Sequence, residues 1–156
     1  MLSPVHPQVR AFLRHSMVAL VATRSANARP FITPLWFVVD GGTLFIATGM
    51  ESWTSRNIAG HPELVLLFSG EGSGRTDRVL RLRGTATVRR GLPPWRILLR
   101  IGAKYYTSPR ALRAELANIR KWRFRTRYYG QAKGGPGHLR IVSTTAEFLS
   151  RPDRVG

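Results

Sequence analysis

The sequence contains no cysteine, and this absence removes several classes of protein at once. A chain without cysteine has no disulfide scaffold, no thiolate-ligated metal and no thiol nucleophile. No apolar run reaches the roughly 18 residues that a bilayer-spanning helix needs. The opening stretch also lacks the charged start, apolar stretch and cleavage site of a signal peptide. We therefore expect a cytoplasmic protein.

Acidic residues are scarce as well. The chain has 8 Asp and Glu against 25 Lys and Arg, which gives a net charge of +17. A field of this sign attracts nucleic acid, anionic lipid or a polyanionic small molecule. Only Lys104, Lys121 and Lys133 among the cations are lysines, and such an arginine bias also arises from a GC-rich genome. The charge alone is therefore weak evidence for nucleic-acid binding.

The residue types that make catalytic and metal centres are thinly spread. The eight acids form no conspicuous pair, and no Ser-His-Asp arrangement is recognisable, which argues against a hydrolase. The histidines do not cluster at metal-ligand spacing, so we predict no metal site. They are His6, His15, His61 and His138.

The chain does contain many short β-forming runs. It has 156 residues, of which 43% are apolar. This size and apolar content predict one folded domain spanning 1–156. Six runs predict strands. They are MVALVATR, FITPLWFVVD, TLFIATG, ELVLLFSG, RVLRLRGTATVRR and HLRIVSTTAEFLS. In the fifth run apolar residues alternate with arginines, which predicts a strand with one apolar and one basic face. Turn-forming SANARP and Asp40-Gly41-Gly42 separate the first three runs. Helical spacing predicts one helix in HPQVRAFLRHS and a second from Ser52, its expected N-cap, to Gly60.

The segment from about 92 to 130 changes to a helical pattern and predicts a helical insertion. Its second half, 108–129, is rich in arginine with interleaved aromatic residues. Three interpretations remain open for this half: packing on the barrel with a solvated arginine face, contact with anionic membrane or nucleic acid, and a lid over a binding groove.

The order of these elements favours a mostly β protein with some α. Strands and helices do not alternate, so a parallel doubly wound sheet is not expected. Six antiparallel strands with peripheral helices predict a small barrel.

The stretch VALVATRSANARPFITPLWFVVDGGTLFIATGMESWTSRNIAGHPELVLLF resembles the pyridoxamine 5′-phosphate oxidase-like family of flavin-binding split β-barrels. The wider superfamily includes deazaflavin-dependent oxidoreductases that use coenzyme F-420. The resemblance covers about residues 8–90 and the closing strand 138–149. It rests on the whole ordered pattern rather than on any single motif.

The resemblance implies a homodimer with FMN or the deazaflavin in a groove between the subunits, acting on a small-molecule redox substrate. The cofactor-binding positions fall on one strand and on the turn that follows the third run. On the strand they are Arg29, Ile32, Thr33, Pro34, Leu35 and Trp36. At the turn they are Thr48, Ser52, Trp53, Thr54 and Arg56. No catalytic side chain is identified, since the cofactor supplies the redox centre.

The turn departs from the family pattern. The family usually has Ser-Arg-Lys or Ser-x-Lys where this chain has Ser52, Trp53 and Thr54. One charge-assisted hydrogen bond to phosphate contributes about 1.5–3 kcal/mol. Three sources of compensation stay open: Arg56, one turn further along the helix, Arg83, and basic residues of a partner subunit.

These residues predict an FMN-dependent oxidoreductase. An F-420-dependent reductase is the first alternative, favoured by Trp53. A non-catalytic ligand-binding barrel is the second, motivated by the missing cations. A membrane or nucleic-acid binder using the 108–129 helix is the third.

Overall fold

The chain folds around one antiparallel sheet. The computed structural model describes residues 3–69, 78–106 and 134–150. Within these ranges the helices are α1 (Pro7–His15), α2 (Trp53–Gly60) and α3 (Trp95–Tyr106). The strands are β1 (Ala19–Arg24), β2 (Pro30–Leu35), β3 (Val38–Asp40), β4 (Thr43–Gly49), β5 (Glu63–Ser69), β6 (Arg78–Arg90) and β7 (Pro136–Ser150). Their order in the sheet is β2-β1-β5-β6-β7-β4-β3. The predicted mostly β class is confirmed.

The predicted strand FITPLWFVVD is divided in two, so the sheet has seven strands rather than six. Its halves, β2 and β3, lie at opposite edges of the sheet and are separated by only Trp36 and Phe37. Because three peptide units span at most about 11 Å, the sheet must curl until its two edges approach each other. The sheet is not closed, as a split barrel requires. The edge position also explains why Pro34 is tolerated in β2.

The division is caused by a distant side chain. The Phe37 N–H donates to the Tyr105 hydroxyl at 2.9 Å, and that hydroxyl also lies 2.9 Å from the Phe37 carbonyl oxygen. The backbone of Phe37 therefore bonds to α3 instead of continuing a strand ladder.

The predicted hairpin turns are confirmed. Asp40 pairs with Thr43 across a two-residue turn in which Gly41 and Gly42 have φ values of +55° and +83°. Two positive φ values mark a type I′ turn, which glycine adopts without strain.

Strand β6 shows the predicted alternation. Leu80, Leu82 and Ala86 are buried in the main core, whereas Arg78 and Arg83 are exposed. A bulge interrupts the pairing with β7 between Arg83 and Gly84. A Cβ at Gly84 would lie 2.3 Å from the Val142 carbonyl oxygen, so only glycine fits there.

Helix α3 lies in the first part of the segment 92–130 that was predicted to be helical. The remainder, 107–130, lies outside the described residues, and with it the arginine-rich segment 108–129. None of the helices in the described ranges is both long and apolar enough to span a bilayer.

Candidate functional site

The turn between β4 and α2 is closed by a helix cap. Ser52 is the N-cap of α2, and its Oγ accepts a hydrogen bond from the Ser55 N–H at 3.1 Å. Ile58 anchors the helix in the core, and Asn57 Nδ2 donates to Thr23 Oγ1 of β1 at 3.0 Å. The predicted cap is confirmed, and the helix is fixed with its N-terminus at the end of β4.

A chain of hydroxyl groups holds this turn. The Thr48 hydroxyl donates to Ser52 Oγ at 3.0 Å, and the Ser52 hydroxyl donates to Ser55 Oγ at 3.0 Å. The Ser55 hydroxyl then donates to the Gly49 carbonyl oxygen at 2.8 Å. Each of the three hydroxyl protons has an acceptor within the protein. The groups left to bind an anion here are the backbone N–H groups of the first turn of α2, which have no partners within the helix.

Thr54 points into the protein. Its side chain is 3% exposed, and its hydroxyl donates to Thr33 Oγ1 on β2 at 3.3 Å. Within the described residues the half-buried Thr33 hydroxyl has no acceptor for its own proton, so Thr33 is available as a donor.

Trp53 points the other way, because successive helical residues are rotated by about 100°. It is 62% exposed and stacks on Phe31 of β2, with ring centroids 5.7 Å apart and planes 11° apart. The Arg56 guanidinium lies 5.5 Å from the Trp53 ring centroid. Phe31, Trp53 and Arg56 form an exposed aromatic and cationic surface, which we name the Trp53 platform.

The alternation of β2 separates the other predicted strand residues. Thr33 and Leu35 are half-buried and face α2 and the core, whereas Ile32 and Pro34 lie on the outer face, with Ile32 64% exposed. Arg29 lies exposed in the β1–β2 turn, where its N–H donates to Ser25 Oγ at 3.1 Å. The structure thus brings Thr33, but not the whole strand, to the α2 turn.

Trp36 packs against α3. Its ring is stacked on Tyr105 at 4.5 Å with an interplanar angle of 6°, and meets Tyr106 edge-on at 6.2 Å. Burial raises the pKa of the Tyr105 hydroxyl to about 12, against the smaller opposing effect of its hydrogen bond to Phe37. Trp36 is therefore part of the packing between β2, β3 and α3.

The comparisons with known proteins agree with this geometry. The sequence profile of the family described as pyridoxamine 5′-phosphate oxidase matches residues 5–131. The chain belongs to the pyridoxamine 5′-phosphate oxidase family. No curated protein matches the sequence at a significant level.

Solved structures with the family fold align along most of the chain. An F420 reductase is 17% identical with a TM-score of 0.62, covering 88% of this chain and 94% of its own. A candidate pyridoxamine 5′-phosphate oxidase from Listeria innocua is 16% identical with a TM-score of 0.61, covering 92% and 97%. HutZ, a heme storage protein from Vibrio cholerae, is 12% identical with a TM-score of 0.62, covering 94% of each chain. At these identities the likeness establishes the fold.

Three residues at the α2 turn were not predicted from the sequence. They are Phe31, Ser55 and the acid Glu51. Phe31 lies two positions before Thr33 on the same face of β2, and Ser55 lies three positions after Ser52, so strand and helix periodicity would have found both. Glu51 directly precedes the cap, and its side chain lies over Gly134, where a Cβ would come within 2.6 Å of Glu51 Cγ.

Proposed function

We propose that this member of the pyridoxamine 5′-phosphate oxidase family is an FMN-dependent oxidoreductase, with the cofactor phosphate at the N-terminus of α2. The observation that carries the proposal is the capped turn of a family member, in which Ser52 closes the helix and the first N–H groups stay available. FMN, when bound, supplies the redox centre that accepts and returns the hydride or electrons. The chain's own residues bind and orient it.

The residues present fit a phosphate. Three kinds of donor belong to the turn and its neighbours: the N–H groups of Trp53 and Thr54, the Thr33 hydroxyl, which is bonded to Thr54, and the Arg56 guanidinium, which lies over Trp53. Arg56 is exposed and supplies the positive charge that the family places at the positions of Trp53 and Thr54. Among the described residues Glu51 is the one acid beside the cap, and its side chain is directed onto Gly134.

The predicted strand residues take two roles in this proposal. Thr33 and Leu35 face α2 and support the cofactor from within the subunit. Leu20 and Ile32 are 40% and 64% exposed on the outer face of β1 and β2, and apolar side chains of this size on a sheet face favour contact with a second subunit. We propose that Ile32 and Pro34 contribute to a homodimer that completes the cofactor groove.

The second candidate is a reductase that uses coenzyme F-420. The Trp53 platform favours it, because Phe31 and Trp53 offer a flat aromatic surface next to a cation. The similarity to an F420 reductase adds support.

A cofactor titration separates the two candidates. The purified protein is titrated with FMN and with coenzyme F-420, and binding is followed by cofactor fluorescence and by quenching of tryptophan emission. The FMN proposal predicts saturable binding of FMN, followed by loss of the flavin absorbance when a reduced nicotinamide is added. Tighter binding of F-420 would favour the second candidate, and binding of neither would overturn both.

Ser52→Ala serves as the matched variant in this titration. Loss of the cap lowers the free energy of unfolding by about 1 kcal/mol. It also breaks the chain of hydroxyl hydrogen bonds that orders the turn. We expect weaker FMN binding by Ser52→Ala and unchanged binding by Ser3→Ala, whose hydroxyl accepts from the Val5 N–H in the N-terminal segment.

A further inference from the structure

A second cavity lies at the other end of the molecule, between α1, α3 and the β3–β4 turn. Its volume is about 1340 Å³, larger than the roughly 300–1,000 Å³ of a typical small-molecule site. None of the predicted cofactor-binding residues lines it. We name it the α1–α3 cleft.

The inner part of the cleft is apolar and contains one orphaned polar atom. Its apolar side chains come from the N-terminal segment, α1 and the sheet, and include Leu13, Val38, Leu44 and Leu82. Ser143 of β7 also lines the cleft, and its Oγ is buried with no hydrogen-bond partner among the described residues. A buried hydroxyl without a partner costs about 1–3 kcal/mol, so a ligand atom that bonded to it would stabilise the site.

The titratable side chains that line the cleft are all basic. They are Arg10, Arg14, His15, Arg100 and Lys104, and no Asp or Glu of the described ranges lines the cleft. Arg100 forms an ion pair with Asp40 at 3.1 Å. Arg10, Arg14 and Lys104 form no ion pair with any described residue.

Lys104 is the cation whose environment is least compensated. It is half-buried, its Nζ donates to the carbonyl oxygens of Phe37 and Leu13 at 3.3 and 3.5 Å, and it lies 3.6 Å from the Phe37 ring centroid. Burial lowers its pKa to about 8. Two carbonyls and a ring balance an ammonium group less well than a carboxylate does, so an anion in the cleft gains a strong electrostatic partner.

We propose that the α1–α3 cleft binds an amphipathic organic anion, a carboxylate on an apolar body. The carboxylate pairs with Lys104 and the arginines of α1, and the body lies against Leu44 and Leu82 with a polar group in reach of Ser143. An inorganic anion would leave the apolar part of the cleft unfilled, and an uncharged apolar molecule would leave the cations without a counter-ion. This site shares no residue with the α2 turn and does not depend on the proposed cofactor.

The test uses the full-length protein and isothermal titration calorimetry. 10-Hydroxydecanoate and 6-hydroxy-2-naphthoate are the probes, acetate carries the charge without the body, and decan-1-ol carries the body and a hydroxyl without the charge. We expect at least one of the two probes to bind at least tenfold more tightly than both acetate and decan-1-ol. Equal binding of acetate or of decan-1-ol, or binding of neither probe, overturns the proposal.

Variants locate the binding. We expect Lys104→Gln to weaken probe binding about tenfold, the loss of one charge-assisted contact, and Arg14→Gln on the exposed face of α1 to weaken it less. Ser143→Leu fills the inner part without changing charge and is expected to reduce probe binding most. Arg89→Gln removes the same charge from a position outside the cleft and is the control. If Ser143→Leu and Arg14→Gln both bind the probe as tightly as Arg89→Gln does, the ligand lies elsewhere. That result would overturn the assignment.

Discussion

The α2 turn and the α1–α3 cleft differ in how far their polar and charged groups are satisfied within the protein. At the turn, the hydroxyls of Thr48, Ser52 and Ser55 form a closed sequence of donors and acceptors, and one arginine, Arg56, supplies the charge. In the cleft, five basic side chains line a cavity without an acid among the described residues. Among the described residues, basic side chains are therefore more numerous in the cleft than where the family resemblance places the phosphate.

The turn is preorganised for binding, whereas the cleft would attract a ligand by its charge. The turn is internally satisfied and keeps its shape without a ligand, so binding there needs little rearrangement. Within the described part of the chain, the Lys104 ammonium has no ion-pair partner and the Ser143 hydroxyl has no hydrogen-bond partner, so a ligand in the cleft would supply both. A basic composition says nothing by itself about which of these two kinds of site it serves.

The largest expected effect contrasts the two positions that lost the family's cations. Thr54→Lys forces an ammonium into a site that is 3% exposed, and we expect the free energy of unfolding to fall by about 3 kcal/mol. Trp53→Lys, the matched variant at a position 62% exposed, loses the stacking on Phe31 and the contact with the Arg56 guanidinium, together worth about 1–2 kcal/mol. Urea denaturation of both variants provides the comparison. Equal destabilisation would mean that Thr54 does not face the interior.

A smaller effect tests the contact that separates β2 from β3. Tyr105→Phe keeps the ring that stacks on Trp36 but removes the hydroxyl that accepts from the Phe37 N–H. The buried N–H then has no partner, and we expect a loss of about 2 kcal/mol in the free energy of unfolding. Thermal and chemical denaturation measure it. A loss below about 0.5 kcal/mol is the range of an ordinary surface substitution. It would show that the division between β2 and β3 does not depend on this hydrogen bond.

A third test uses the pH dependence that Lys104 contributes. Its pKa is about 8 when folded against 10.5 in its ordinary state, so between these values the unfolded chain holds a proton that the folded chain has lost. Stability therefore rises with pH across this window. The groups that share its cleft are Arg10, Arg14, His15 and Arg100, and the arginines do not titrate here.

Lys104→Met is the reference for this measurement. The free energy of unfolding of Lys104→Met is subtracted from that of the native chain. This difference should increase from pH 8 to about pH 10. The pH range ends below the point at which Tyr105, with a pKa of about 12, begins to ionise. A difference that stays flat or falls with pH would contradict the burial of Lys104.

Local sequence patterns were sufficient for much of the fold. The alternation along 78–90 and the glycine pair Gly41-Gly42 depend on near neighbours only, and both predictions are confirmed. The division at Trp36 and Phe37 was not predictable locally, because it depends on the Tyr105 hydroxyl, 68 residues away from Phe37. The number of strands changed for this reason, while the class did not.

The candidate site was predictable to a lesser extent. The Ser52 cap follows from a local rule and is confirmed. The inward direction of Thr54 could have been inferred from Ile58, an apolar residue one turn later on the same helix face. The packing of Trp36 on α3 could not, since it needs a helix that lies about sixty residues further along the chain.

The central claim is that the N-terminus of α2 recognises a phosphate with the help of Arg56. The most direct test compares the affinities of FMN and riboflavin, which differ only in the phosphate, for the native chain, Arg56→Gln and the control Arg89→Gln, by flavin fluorescence. The account predicts that FMN binds at least tenfold more tightly than riboflavin to the native chain and to Arg89→Gln. It also predicts that Arg56→Gln loses most of this preference while its riboflavin affinity changes little. Equal affinities of FMN and riboflavin for the native chain, or a preference that Arg56→Gln leaves intact, would contradict it.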